Sequence, residues 1–271
     1  MKIYELLENS KDFLDKNTFN ELILYVLKNP DVQPLLTDEI SADKVLLFNE
    51  LCEKIKENHP VAYVINNKYF YESDFYVDER VLIPRIETEL LVEAALEFDL
   101  ANKNVLDLCC GSGCIGISLK IKEPTINLFL SDISKPALAV CEINLKKHQV
   151  QAQTLCEDYL DAVFKINNKL DFIVINPPYI AQSDTEVSDQ AISFEPKLAL
   201  FAESEGLYFY EQLFENLEKI YKLHQPIIIC EFGYEQKPAI KNLFEKHASK
   251  YKIKFKKDYF NNPRYFILCE V

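Results

Sequence analysis

The sequence predicts an α/β protein built on a mostly parallel, seven-stranded sheet with helices on both faces, preceded by a small helical domain and a β-hairpin connector. Three observations predict it. From residue 87 onward, short apolar strands alternate with amphipathic helices, the pattern of parallel strands joined by helical crossovers. Three of the five glycines, Gly111, Gly113 and Gly116, fall inside six residues at the end of the first of those strands. The leading 58 residues instead carry apolar side chains at helical spacing.

In that leader the spacing runs Ile3, Leu6, Leu7, then Phe13-Leu14, then Phe19, Leu22, Ile23, Val26, Leu27. A further stretch carries Val45, Leu46, Phe48, Leu51, Cys52 and Ile55 with charged residues between, and His59-Pro60 ends it. Residues 61–76 read as a β-hairpin turning at Asn66-Asn67. The expected organisation is therefore a helical domain over 1–59, a hairpin linker over 60–86 and an α/β domain over 87–271. Strands are expected at 104–108, 126–131, 152–156, 170–175, 226–231, 252–256 and 264–270. Helices are expected near 88–98, 114–122, 135–147, 205–222 and 236–248. The last two strands meet across Asn261-Asn262-Pro263 without a helix, which predicts an antiparallel edge. The lysines of 250–257 alternate with Ile253 and Phe255, as on the solvated face of an edge strand.

Composition narrows the function. With 271 residues, 48% hydrophobic and 27% charged, the chain suits one medium domain with an appendage. Forty-three acidic against 30 basic side chains leave a net charge of -13, which disfavours a broad grip on phosphate backbones. The eight cysteines include no Cys-x-x-Cys pair, so neither a zinc module nor a disulfide framework is expected, and no metal. No apolar run reaches 18 residues and the amino terminus lacks a signal-peptide pattern, so the chain reads as cytoplasmic and soluble.

Asn104-Val-Leu-Asp-Leu-Cys-Cys-Gly-Ser-Gly-Cys-Ile-Gly joins a strand, a glycine turn and a helix start, and residues 111–116 satisfy G-x-G-x-x-G. Two ligands compete for such a loop. A dinucleotide lays its pyrophosphate on the helix N-terminus. S-adenosylmethionine (SAM) carries an ammonium and a sulfonium and no phosphate. Asp107, four residues before Gly111, would repel a pyrophosphate, so charge sign selects SAM. Asp132 ends the next strand at the place for ribose hydroxyls. Asp158 either accepts from an adenine amino group or caps a helix.

The strand Asp171-Phe-Ile-Val-Ile runs into Asn176-Pro177-Pro178-Tyr179. Standing before proline, Asn176 is biased to extended geometry, so its amide projects beyond the sheet's C-terminal edge. Neither proline has an N–H, so the loop offers carbonyls that few local donors occupy. A planar amide or aromatic amine has two N–H donors and a delocalised lone pair. Asn176 Oδ1 and the Pro177 carbonyl can each accept one of those hydrogens and favour localisation of the lone pair towards a methyl donor. Tyr179 packs on the planar face.

These segments resemble the class I SAM-dependent amino-methyltransferases and, more closely, the release factor glutamine N5-methyltransferases (the PrmC/HemK family). The likeness rests on Leu82-Ile-Pro-Arg-Ile-Glu-Thr-Glu89, Leu106-Asp-Leu-Cys-Cys-Gly-Ser-Gly113, Asp132, Asn176-Pro-Pro-Tyr-Ile180, and Phe194-Glu-Pro196 followed by Ala199-Leu200. It implies a Rossmann-like fold, a helical domain that docks a peptide chain release factor, and methylation of the glutamine in that factor's Gly-Gly-Gln tip. By the family pattern, Asn176 and Pro177 bind the glutamine amide, with Pro178 and Tyr179 beside it. Asp107, Cys109, Gly111, Ser112 and Gly113 accommodate SAM with Asp132, Asp158, Tyr159 and Asn176. Tyr159 stands where the family often has tryptophan and either packs on adenine or fills the core. Arg85 either orients the substrate or makes an ion pair. Cys109 replaces the family's usual first glycine, which implies that the position needs no positive φ. Three other readings fit parts of the chain: an N6-adenine methyltransferase of DNA or RNA, an NAD-type oxidoreductase, and a non-catalytic binding module.

Overall fold

The computed structural model describes residues 1–28, 35–185 and 188–269, and the chain divides into two compact units, Met1–Asn67 and Lys68–Val271. In the first unit the helices Ile3–Ser10, Lys16–Leu27 and Ala42–Lys56 bury Ile3, Leu6, Phe19, Leu22, Phe48 and Leu51 in a shared core. Asp15 caps the second helix by accepting from the Asn17 and Thr18 amides. Leu46, counted among the apolar spacing, is exposed.

The hairpin of the second unit differs from the sequence expectation. Val61–Val64 is a helical turn within the first unit, and the strands are β1 (Lys68–Phe70) and β2 (Ser73–Phe75). The turn falls at Tyr71-Glu72, both with positive φ, and not at Asn66-Asn67. Tertiary contacts override the turn preference of asparagine here. The Tyr71 amide donates to Glu89 Oε1 and Lys122 pairs with Glu72. Phe70 and Phe75 pack into the same core as Leu91, Val105 and Ile117.

Seven further strands form the main sheet. In chain order its members are β3 (Asn104–Leu108), β4 (Asn127–Asp132), β5 (Gln153–Cys156), β6 (Phe172–Ile175), β9 (Ile227–Glu231), β10 (Lys252–Lys257) and β11 (Pro263–Cys269). Between β6 and β9 a small parallel pair, β7 (Ile180–Ala181) and β8 (Phe201–Ala202), forms a separate sheet. The order across the main sheet is β10-β11-β9-β6-β3-β4-β5. All neighbours are parallel except the pairs made by β11, which lies antiparallel to both β9 and β10. All seven expected strands are present with ends shifted by two residues or fewer, apart from residue 270 of the last, which lies outside the described residues. The helices Cys114–Lys122 and Lys135–Lys147 have the expected bounds. The short helices Leu160–Lys165, Asp189–Phe194 and Lys197–Leu200 were not anticipated.

Chain order explains where a ligand fits. From β3 the chain proceeds to β4 and β5 on one side, then returns to place β6 on the other side of β3. A crevice opens at the C-terminal ends of the strands where the order reverses. Among the described residues no helix is long and apolar enough to cross a membrane. All eight cysteines are free thiols, five of them buried.

Candidate active site

At the end of β3 the chain makes a left-handed turn. Cys109, Gly111 and Gly113 have φ of 63°, 52° and 78°. The sequence expectation that Cys109 avoids positive φ is therefore overturned. Its amide neighbour is fixed by the Cys110 N–H donating to the Ser131 carbonyl across the sheet. Burial pushes the Cys109 thiol well up, so it stays protonated.

Gly113 and Gly116 serve packing. A Cβ on Gly113 would stand 2.7 Å from Cys141 Sγ, and one on Gly116 would stand 2.6 Å from Leu130 Cδ2 and 3.0 Å from Asp107 Cβ. The helix Cys114–Lys122 thus lies directly on β3 and β4. Ser112 is buried, and its carbonyl accepts from Asn144 Nδ2.

Asp107 shares the face of Val105, because side chains alternate along a strand. Its Oδ2 accepts from the Gly116 amide at 2.8 Å, while Oδ1 is buried with no hydrogen-bond partner. Burial raises its pKa to about 7, against the pull of the Gly116 N–H. The carboxylate used at sequence level to reject a pyrophosphate therefore points into the space between sheet and helix. Asp107, Ser112 and Gly113 stand outside the lining of the crevice.

The crevice itself is a mostly apolar pocket. Cys109 and Gly111 from the turn, Asp132 from β4, and Asp158 and Tyr159 after β5 form one wall. Asn176 and Pro178 after β6 line it too, together with Pro196, Leu198 and Phe209. Asp132 Oδ2 accepts from the Gly111 amide at 2.9 Å and Oδ1 from the Ser134 amide at 2.8 Å. Each oxygen therefore keeps acceptor capacity for a ligand hydroxyl. Burial raises the Asp132 pKa, partly offset by those two N–H groups.

Tyr159 is the residue before the helix Leu160–Lys165, and no side chain caps that helix, so Asp158 stays on the pocket wall. The Tyr159 hydroxyl donates to the Phe209 carbonyl at 3.0 Å and its ring meets the Phe209 ring edge-on. Burial pushes that phenol well up. Arg80 also lines the pocket, with its guanidinium held by Asp78 at 2.5 Å.

The Asn-Pro-Pro-Tyr segment sits at the end of β6, beside the end of β9, since Ile175 is the register partner of Cys230. Asn176 Nδ2 donates to the buried Thr88 hydroxyl at 3.1 Å, which leaves Oδ1 to accept. Pro177 and Pro178 are buried. Tyr179 lines a second cleft with Gly233, Tyr234 and Arg264, and its hydroxyl donates to Glu231 Oε1 at 3.4 Å.

Arg85 makes an ion pair. Its guanidinium meets Glu195 Oε1 at 2.5 Å, while Glu195 Oε2 accepts from the Ile83 amide at 3.0 Å. This buried carboxylate ties the Ile-Pro-Arg and Phe-Glu-Pro segments together, and Arg85 lines neither cleft. Sequence reasoning missed Thr88, Glu231 and Phe209 as site residues. Glu231 did carry a signal: it ends an apolar strand at the sheet's ligand-binding edge. Among the described residues no group of three His, Cys, Asp or Glu side chains is arranged to hold a metal ion.

Comparison with known proteins agrees with this geometry. Residues 85–195 match the family model of the methyltransferase small domain. A release factor glutamine methyltransferase of Mycoplasma mycoides is 36% identical over 93% of this chain and 92% of its own. One from Leptospira interrogans is 39% identical over 83% of this chain and 85% of its own. A solved methyltransferase from Pyrococcus furiosus shares the fold at a TM-score of 0.52 and 13% identity, over 80% of this chain and 95% of that one. Class membership makes SAM the cofactor. The chain belongs to the release factor glutamine methyltransferase family.

Proposed function

We propose that this protein transfers a methyl group from SAM to the side-chain amide nitrogen of the glutamine in the Gly-Gly-Gln motif of a peptide chain release factor. The observation that carries the reading is the junction at Asn176. Its amide is anchored through Nδ2 to Thr88 at the end of β6, so that an acceptor oxygen remains at the pocket wall. An acceptor there suits a substrate that brings N–H donors.

When bound, SAM supplies an electrophilic methyl group. The lining fits it: Asp132 keeps lone pairs for ribose hydroxyls, Asp158 for the adenine amino group, and Gly111 and Cys109 leave the loop backbone open to the methionine end. Tyr159 and Phe209 supply an apolar wall for the adenine. Asn176 Oδ1 and the Pro177 carbonyl take the two glutamine N–H bonds and favour localisation of the nitrogen lone pair. Fixing the amide in line contributes up to roughly 7–11 kcal/mol in favourable cases. Pro178 and Tyr179 confine the amide plane. The proton leaves after transfer, so no base is needed beforehand. Arg85 acts at one remove, holding Glu195 and through it the loop at Ile83. The helical unit Met1–Asn67 docks the release factor, in the cytoplasm where translation ends.

The test offers tritiated SAM and equal amounts of a bacterial release factor, a DNA duplex and a structured RNA to the purified protein. Label in the release factor alone is expected. Label in either nucleic acid, with none in the factor, replaces this reading with an N6-adenine methyltransferase.

A further inference from the structure

The acceptor end of the site contains a buried carboxylate that touches neither cofactor pocket nor substrate path directly. Glu231 ends β9 next to Asn176, 1% exposed, with Oε2 short of a well-formed hydrogen bond and Oε1 accepting a long 3.4 Å bond from Tyr179. Thr88, at the end of the turn Ile86–Thr88, meets Asn176 through its hydroxyl. Its oxygen accepts from Asn176 Nδ2, so its own proton must go elsewhere, and the Thr88 hydroxyl is among the groups that draw the Glu231 carboxyl down.

The two ends of an asparagine amide are alike in shape and opposite in hydrogen bonding. What its buried neighbour offers decides which end faces outward. An ionised Glu231 accepts only, so Thr88 donates to it and presents a lone pair to Asn176. Nδ2 then turns inward and Oδ1 outward. A Glu231 that donates lets the Thr88 proton swing to Oδ1, and the amide turns its NH2 towards an acceptor amide that itself brings only N–H groups.

We propose that Glu231 is a positioning residue that sets the polarity of the Asn176 amide through the Thr88 hydroxyl. The inference rests on the reading of Asn176 as the acceptor of the glutamine N–H. It also gives a role to a carboxylate at a fully buried strand end, where an apolar residue would cost less.

Several charges face Glu231. Arg264 from β11 draws its proton off, while Glu87 in the turn before the helix Glu89–Leu96 holds it on. The Tyr179 hydroxyl donates to the carboxylate and the Tyr210 hydroxyl to the Glu231 carbonyl, with the Cys230 thiol adjacent. Arg264 is itself shared with Asp258, and the charge of Arg85 acts on Tyr179. Burial is the largest influence, and the carboxyl titrates at about 7. Turnover should therefore rise as pH climbs through about 7, where the carboxylate forms.

The experiment uses the full chain, SAM and a bacterial release factor, and measures kcat and KM from pH 6 to 9, SAM binding by calorimetry and Tm. Thr88→Val should lower kcat about tenfold, the worth of one hydrogen bond, with SAM affinity unchanged. Thr88→Ser should restore kcat to within about twofold, because it keeps the hydroxyl. Glu231→Gln should lower kcat and abolish the limb near pH 7. Wild-type kcat and an unmoved limb in both Thr88→Val and Glu231→Gln overturn the proposal. If Thr88→Val does not fold, the pH profile of Glu231→Gln decides alone. Asn176→Ala in the same assay separates the two ideas. Full activity there removes the reading of Asn176 itself, whereas an inactive Asn176→Ala beside unaffected Thr88 and Glu231 variants removes only the relay.

Discussion

At the glycine-loop end of the pocket, one stretch of chain does most of the work: β3, its left-handed turn and the helix Cys114–Lys122 supply both the wall and the packing behind it. At the Asn176 end, four separate segments converge: Thr88 before a helix, Asn176 and Tyr179 after β6, Glu231 at the end of β9, and Arg264 on β11. Both ends bury a carboxylate with one oxygen short of a well-formed hydrogen bond, Asp107 and Glu231, and burial lifts each to about 7. They differ in what the carboxylate touches. Asp107 holds a helix amide and has no side chain of the pocket to orient, while Glu231 stands behind the hydroxyl that holds Asn176. A buried charge of similar electrostatics is structural in one place and tied to chemistry in the other because of its hydrogen-bonding neighbours.

The comparison breaks most sharply at Asn176. Asn176→Ala removes the acceptor and leaves Asp132, Asp158 and Tyr159 in place, so kcat should fall about 10²–10³-fold, as when an aimed transition-state hydrogen bond is lost. Calorimetric SAM affinity should fall far less than kcat does. The reciprocal change at the other end is Asp132→Ala. It should weaken SAM binding roughly ten- to a hundredfold, the loss of one or two charge-assisted hydrogen bonds, and the same titration checks it.

Two substitutions, one in the glycine turn and one in the helix after it, sharpen the contrast between conformation and packing. Gly116→Ala forces a Cβ against Leu130 and Asp107 and should cost about 1–3 kcal/mol by overpacking. Cys109→Gly relieves a left-handed non-glycine residue and should gain about 1 kcal/mol net of the added chain entropy. Chemical denaturation of both variants reads the difference.

The smallest effect concerns Asp107. Its folded pKa lies above the unfolded value, so the native state binds the proton more tightly. Wild-type stability therefore declines as pH rises from the ordinary carboxylate range through about 7. Asp107→Asn keeps an acceptor for Gly116 and lacks that decline. Its Tm relative to wild type should be higher at pH 8 than at pH 5, and a constant difference across that range contradicts the assignment.

What was legible in the sequence follows the same division. Strand β3, the glycine turn and the next helix are contiguous, so periodicity and glycine placement located all three with exact bounds. The Asn-Pro-Pro-Tyr chemistry was legible because proline dictates the geometry of the residue before it. Long-range pairing was not. Nothing local says that Arg85 belongs to Glu195, 110 residues away, or that Thr88 holds Asn176 across 88 residues. The hairpin turn at Tyr71-Glu72 was missed because Glu89 and Lys122 hold a turn whose own residues do not favour it. Side-chain direction was the other gap. Asp107 was assigned to the ligand from its position in the motif, yet strand alternation sends it to the helix side with Val105.

The most direct test of the central claim is mass spectrometry of a bacterial release factor incubated with this protein and SAM, with the Gly-Gly-Gln glutamine changed in a control factor. The account predicts one added methyl mapped to that glutamine and none in the control. An unmodified glutamine, despite measurable SAM binding, contradicts it.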